Sequence, residues 1–216
     1  YQINLVINTM IASTVADGAV SYLNYADRVN QLPLGVVGIA IGTALLPLLS
    51  RQLRAGELEA AADSQNRAME LGLLLTLPAA VALGVIAEPV IRVLFERGSF
   101  GPAQTSATAA ALVAFAIGLP AYVLVKTLIP GFFAREDTST PVRIAGLCML
   151  LNVGLNFALL GPLAHVGMAL ATALAAWVNV LLLAWVLYRR GFFRLDARLR
   201  RRLPRLLAAA LTMGAV

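Results

Sequence analysis

Charge, cysteine and histidine are all scarce in this 216-residue chain. One cysteine, Cys148, excludes a disulfide framework and any cysteine-based metal spacing. One histidine, His165, cannot build a metal site alone and leaves no Ser/His/Asp set. No glycine loop followed by lysine and no HExxH motif occurs, so the residues point to no enzyme, no metal and no cofactor. Asp, Glu, Lys and Arg together make up 13% of the chain, about half the usual share. Hydrophobic residues fill the space at 60%, with a mean hydropathy of +0.82. That excess predicts several membrane spans rather than one buried core. The chain opens at Tyr1 inside an apolar segment with no basic region before it, so no secretory signal fits. It stops inside another apolar run, and we expect a piece of a longer membrane protein.

Seventeen Lys and Arg against eleven Asp and Glu suggest a nucleic-acid partner, but their distribution excludes it. Eight arginines crowd between Arg189 and Arg205, flanked by apolar runs. A cluster so placed fits a cytoplasmic loop facing anionic membrane lipids.

Charge-free runs mark the spans. The first covers Gln2 to Ala16 and the second Leu32 to Ser50. A third runs from about Leu71 to Phe95, with Glu88 and Arg92 four apart on one helix face near its end. The fourth extends from Ala103 to about Ile129. From Ile144 to Tyr188 no Asp, Glu, Lys or Arg occurs over 45 residues. One helix of that length would measure roughly 65 Å, about twice the bilayer core. It must turn back, and Gly161-Pro162 supplies the turn, giving spans five and six. A seventh begins near Leu203. The intervening "RAGELEAAADSQNRAMEL" reads as an amphipathic helix with a solvated acidic face.

Orientation follows from the loops. Fourteen Lys and Arg, with Lys126 counted as flanking the loop after span four, lie on one side against Arg28, Arg92 and Arg97 on the other. The basic side is therefore cytoplasmic. Pro and Gly recur inside spans two, three and four: Pro33, Gly38, Gly42, Pro47, Pro78, Gly118 and Pro120. They fit close helix packing, or bending points in a transporter that alternates its access.

Polar side chains within the spans are few. Asn8 in span one, Asn152 and Asn156 in span five and Thr172 in span six make interhelical hydrogen bonds or line a cation or headgroup site. Arg28 is the sharpest candidate. It is either an interfacial anchor with Asp27 as its rim partner, or a cavity residue that binds an anion. A guanidinium suits phosphate because it donates two parallel hydrogen bonds and keeps its charge.

"YLNYADRVNQLPLGVVGIAIGTALLPLLSR", with "ALVAFAIGLPAYVLVKTLIPGFFAREDTSTPVR" and "LNFALLGPLAHVGMALATALAAWVN", resembles the MurJ (MviN) family of bacterial lipid II flippases. The resemblance implies an all-α, polytopic transmembrane helical bundle: the second six-helix lobe of a two-lobe flippase, plus the start of an added C-terminal helix. Residues 1–190 would be that lobe, 191–202 a basic cytoplasmic loop and 203–216 the truncated added helix. It implies lipid II as substrate, membrane lipids and a missing N-terminal lobe as partners, and the bacterial cytoplasmic membrane as location. Arg28, in the "YADR" motif, would engage the pyrophosphate, with Asp27 orienting it. Some members use a cation site in this lobe that includes carboxylates. The nearest residues here are Asn8, Asn152, Asn156 and Thr172, which puts sodium coupling in doubt. The alternatives are another flippase or antiporter of the same superfamily, or a non-transporting scaffold for cell-wall synthesis.

Overall fold

The computed structural model describes residues 18–194 and 196–215, and every regular element among them is a helix. The helices are α1 (Ala19–Arg54), α2 (Leu58–Val85), α3 (Ala87–Phe95), α4 (Pro102–Phe133), α5 (Ser139–Arg189) and α6 (Ala197–Ala215). Four of them, α1, α2, α4 and α5, are long and apolar enough to cross a membrane. The first expected span, with Asn8, lies outside the described residues.

α4 is the post around which α1, α2, α3 and α5 pack, while α6 lies on α2. In its most apolar stretch 72% of residues are buried inside the bundle, against 22% for α1. Lipid is as apolar as leucine, so close fit rather than hydrophobicity holds such helices together. Gly118 of α4 lets α5 approach until a Cβ there would lie 3.0 Å from the Ala173 Cα. Gly72 of α2 admits Val123 of α4 in the same way. Prolines inside the helices (Pro33, Pro47, Pro78, Pro120, Pro130) do not end them, as is common in membrane-spanning helices.

α5 runs 51 residues but reverses at Ala164, whose φ of 47° and ψ of −130° are non-helical. The turn expected at Gly161-Pro162 thus falls two residues after the proline. Its two arms pair Asn152 with Thr172 and Leu159 with Gly167, the register of an antiparallel hairpin. Spans five and six are these arms.

Three expectations need correction. The third span does not continue to Phe95: α2 ends at Val85, and the separate α3 starts at Ala87. Pro89, third in α3, sits in the first turn, where a missing N–H breaks no helical bond. The last helix begins at Ala197 rather than near Leu203, so part of the arginine cluster is helical. Finally, the segment before Leu71 is the first half of α2: Glu57, Glu59 and Asp63 are exposed as expected, but Gln65, Asn66 and the fourth acid, Glu70, are buried.

The connections sort onto two ends. Gln65 Nε2 donates to Thr127 O at 3.3 Å, Asn66 Nδ2 to Arg194 O at 2.9 Å, and Arg190 pairs with Asp137 at 2.5 Å. These bonds gather the α1–α2, α4–α5 and α5–α6 connections at one basic end. Arg28, α3 and the turn of α5 lie at the other.

Candidate functional site

The far end of α1 is fixed by aromatic rings. Tyr25 meets Phe95 and Phe100 with ring centroids at 4.7 and 5.5 Å, which ties α1 to the α3–α4 connection. Tyr22 stands edge-on to His165 at 5.5 Å, and His165 Nε2 lies 3.0 Å from Ala107 O beside the α5 turn. Between and beyond these anchors come Asp27 and Arg28. The Asp27 carboxylate accepts a hydrogen bond from Gln31 Nε2 one turn on, rather than a direct ion pair from Arg28. Arg28 is exposed and, among the described residues, takes no hydrogen bond or ion pair. It heads a stripe of exposed apolar residues spaced four, four and three apart, Leu32, Val36 and Ile39, which are 65%, 77% and 60% exposed. An unpaired guanidinium at the top of an apolar face is free to meet an anion that arrives along that face.

Lys126 is the residue that sequence reasoning misplaced. Counted as flanking a loop, it lies inside α4 against the middle of α1, where a Cβ on Gly38 would come within 2.7 Å of its Cδ. It too lacks a hydrogen bond or ion pair among the described residues. The absence of a side chain at Gly38 gives the lysine stem its groove. An ionisable group at this depth is a functional candidate by default. The signal in the sequence was its distance from the loop: seven residues of α4 still follow it.

Asn152, Asn156 and Thr172 come together as expected. Asn156 Nδ2 donates to Asn152 Oδ1 and Asn152 Nδ2 to Thr172 Oγ1, both at 3.3 Å, while the Thr172 hydroxyl donates to Met168 O at 3.0 Å. The chain of amides joins the two arms of α5, and among the described residues no carboxylate enters it. Both asparagines are buried.

A second polar cluster had no counterpart in the sequence reading. Glu70 of α2, buried, accepts hydrogen bonds from Arg67 and Arg202 and lies 3.3 Å from Arg198 Nε. Arg67 also pairs with Asp196. This clasp holds α6 on α2.

The whole chain, residues 1–216, matches the family model described as lipid II flippase MurJ. The chain belongs to the lipid II flippase MurJ family. It is 55% identical over 214 residues to a probable lipid II flippase MurJ of Rhizobium meliloti, covering 99% of this chain and 40% of that relative. A lipid II flippase MurJ of Burkholderia cenocepacia is 36% identical over 217 residues, 41% of its length. This member therefore spans well under half of the relatives it matches. A solved lipid II flippase MurJ in an inward closed conformation superimposes with a TM-score of 0.86 at 29% identity, over 99% of this chain and 43% of that one. A transporter of the MOP superfamily from Pyrococcus furiosus shares the fold, with a TM-score of 0.72 at 17% identity, over 99% of this chain and 48% of that one. The MurJ-family assignment agrees with the all-α bundle built above.

Proposed function

We propose that this chain is the second lobe of a lipid II flippase in a bacterial cytoplasmic membrane, and that with an N-terminal lobe it moves the lipid-linked peptidoglycan precursor from the inner to the outer leaflet. The observation that carries the reading is Arg28, exposed and with no side-chain hydrogen bond or ion pair among the described residues, at the head of the Leu32–Val36–Ile39 stripe. In the proposal this face of α1 borders the central cavity, and the guanidinium takes the pyrophosphate in a two-pronged hydrogen bond. Asp27, held by Gln31, keeps a negative charge beside the arginine and limits how tightly the anion is retained. Release matters as much as capture in a transport cycle. Lys126 offers a second cation near Gly38, ten residues or about 15 Å further along α1. The two cations lie about 80° apart around the helix, so a headgroup passing from one to the other also rotates. Alternating exposure of the cavity to the two sides moves the headgroup while the polyprenyl tail stays in lipid.

For Asn152, Asn156 and Thr172, we favour an interhelical brace over a cation site. The three side chains bond in series across the two arms and on to the Met168 carbonyl, and among the described residues no carboxylate joins them. The test of the main reading uses the full-length parent in cells depleted of their own flippase. Lipid II accessible to an external cleaving reagent is scored for wild type, Arg28→Lys and Arg28→Ala at matched membrane levels. Loss of exposure in the alanine variant with partial recovery in the lysine variant is the expected result. Equal exposure in all three makes Arg28 an anchor, and failure of the wild type removes the flippase reading itself.

A further inference from the structure

At the basic end the bundle holds a pocket of about 440 Å³ that the transport reading does not use. A volume of that size suits a small ligand or a lipid headgroup. Three guanidiniums line it, and they are not equivalent. Arg190 is committed, with one nitrogen 2.5 Å from Asp137 Oδ2 and the other 3.1 Å from Thr140 Oγ1. Arg54 gives only its Nε, to Ser50 O at 3.2 Å. Arg135 lies over the Phe192 ring, 4.4 Å from the centroid, and gives one nitrogen to Gly131 O at 2.6 Å. Each of these last two bonds returns to the residue's own helical backbone four positions earlier. Such bonds aim a guanidinium without neutralising it, and burial lowers the pKa of Arg135, as for a cation short of a counter-ion. Glu136 stands exposed at the rim, with a left-handed φ of 60°, and its carboxylate takes no hydrogen bond or ion pair among the described residues. With Asp137 spent on Arg190, two uncommitted guanidiniums face one uncommitted carboxylate.

The geometry points to a phosphate-binding pocket in which Arg54 and Arg135 hold one phosphate group, supplied by the headgroup of an anionic phospholipid in the adjacent leaflet or by free phosphate. Arg54 is the last residue of α1, and Arg135 follows the end of α4 by two. Both therefore stand where spans leave the membrane, at headgroup depth. Arginines at such sites meet a leaflet whose surface is negative. A phosphodiester, with a single negative charge, matches the small surplus of positive groups better than a phosphate monoester does. Binding there joins the α1–α2 and α4–α5 connections through one ligand. The pocket sits at the opposite end of the bundle from Arg28, so its occupancy is independent of whether lipid II is the cargo.

The test uses the purified full-length parent in detergent, with phosphatidylglycerol, phosphatidylcholine or inorganic phosphate added separately. Retained lipid is counted by native mass spectrometry, and the melting temperature is followed. We expect selective retention of phosphatidylglycerol and a raised melting temperature. The Arg54→Gln/Arg135→Gln variant should lose about tenfold in affinity, as for a charge-assisted bond removed. Millimolar inorganic phosphate that displaces the lipid and itself raises the melting temperature identifies free phosphate as the source; no such effect identifies the lipid. Equal retention of both lipids by wild type, or unchanged retention in a folded Gln variant with no response to phosphate, overturns the proposal. Should the double variant fail to fold, Arg54→Gln alone decides, since that side chain bonds only its own backbone.

Discussion

Replacing Gly167 by alanine tests the hairpin at the centre of α5. An added Cβ would lie 2.5 Å from the Leu159 carbonyl oxygen and 2.9 Å from its carbon, inside the 3.0 Å that real Cβ contacts respect. The obstacle is backbone, so no rotamer change relieves it and the arms must separate by half an ångström or more. Overpacking of this kind costs about 1–3 kcal/mol. Separation also strains the Asn152–Thr172 bond, already 3.3 Å long and seven and five residues further from the turn on the two arms. Losing that bond adds about 0.6 kcal/mol. Gly154→Ala and Gly161→Ala serve as controls in the same element, because a Cβ at either position meets nothing within 4 Å. Those two should be neutral or stabilising by about 0.4–1 kcal/mol through the unfolded chain. The assay is thermal unfolding of the purified full-length parent in one detergent, all variants side by side. Gly167→Ala melting together with the two controls would refute the close approach of the arms.

Two other predictions concern charged groups at the basic end. Glu70→Gln leaves Arg67, Arg198 and Arg202 without their shared carboxylate, at a cost of about 2 kcal/mol, less than for a fully buried pair because the arginines are half exposed. Faster amide exchange along α6 should follow, and an unchanged exchange pattern would remove the clasp. Asp137 accepts from the hydroxyl and backbone N–H of Thr140, then from Arg190 and Ser139, and these outweigh burial to hold its carboxyl well below the usual range. A depressed folded pKa gives stability that is complete above the unfolded value of about 3.9 and fades as pH falls below it. The stability gap between wild type and Asp137→Asn should accordingly be flat from pH 5 to 8 and shrink below about pH 4. A gap that persists undiminished at low pH would contradict the assignment.

Much of the bundle could be read from the chain because lipid imposes a simple rule: long charge-free runs must be helices. The reversal near Gly161-Pro162 followed from length alone, and its displacement to Ala164 reflects the proline, which keeps its own helical φ and passes the break forward. Glu88 and Arg92, expected to pair, do so at 2.6 Å, and the amides of α5 meet Thr172. Glu70 escaped because its neighbours in sequence make the segment look solvated, while Arg198 and Arg202, which cover it, come more than 120 residues later. No local period encodes such a partner. Lys126 escaped for a related reason: a lysine near the end of an apolar run reads as a border, and only the groove at Gly38 shows that it lies within the bundle. The break at Ile86 was legible in principle, since Pro89 marks a first turn.

The clasp on Glu70 also sets an order of events during synthesis. Arg202 follows Glu70 by 132 residues. At a ribosomal pace of roughly 5–20 residues per second, about 7 to 26 s separate the two. Throughout that interval α2 must rest in the membrane with its carboxylate paired by Arg67 alone, since Arg198 and Arg202 have not been made. The basic end therefore closes last, from the C-terminal side, and a nascent chain halted before α6 carries an acid with one of its three arginines.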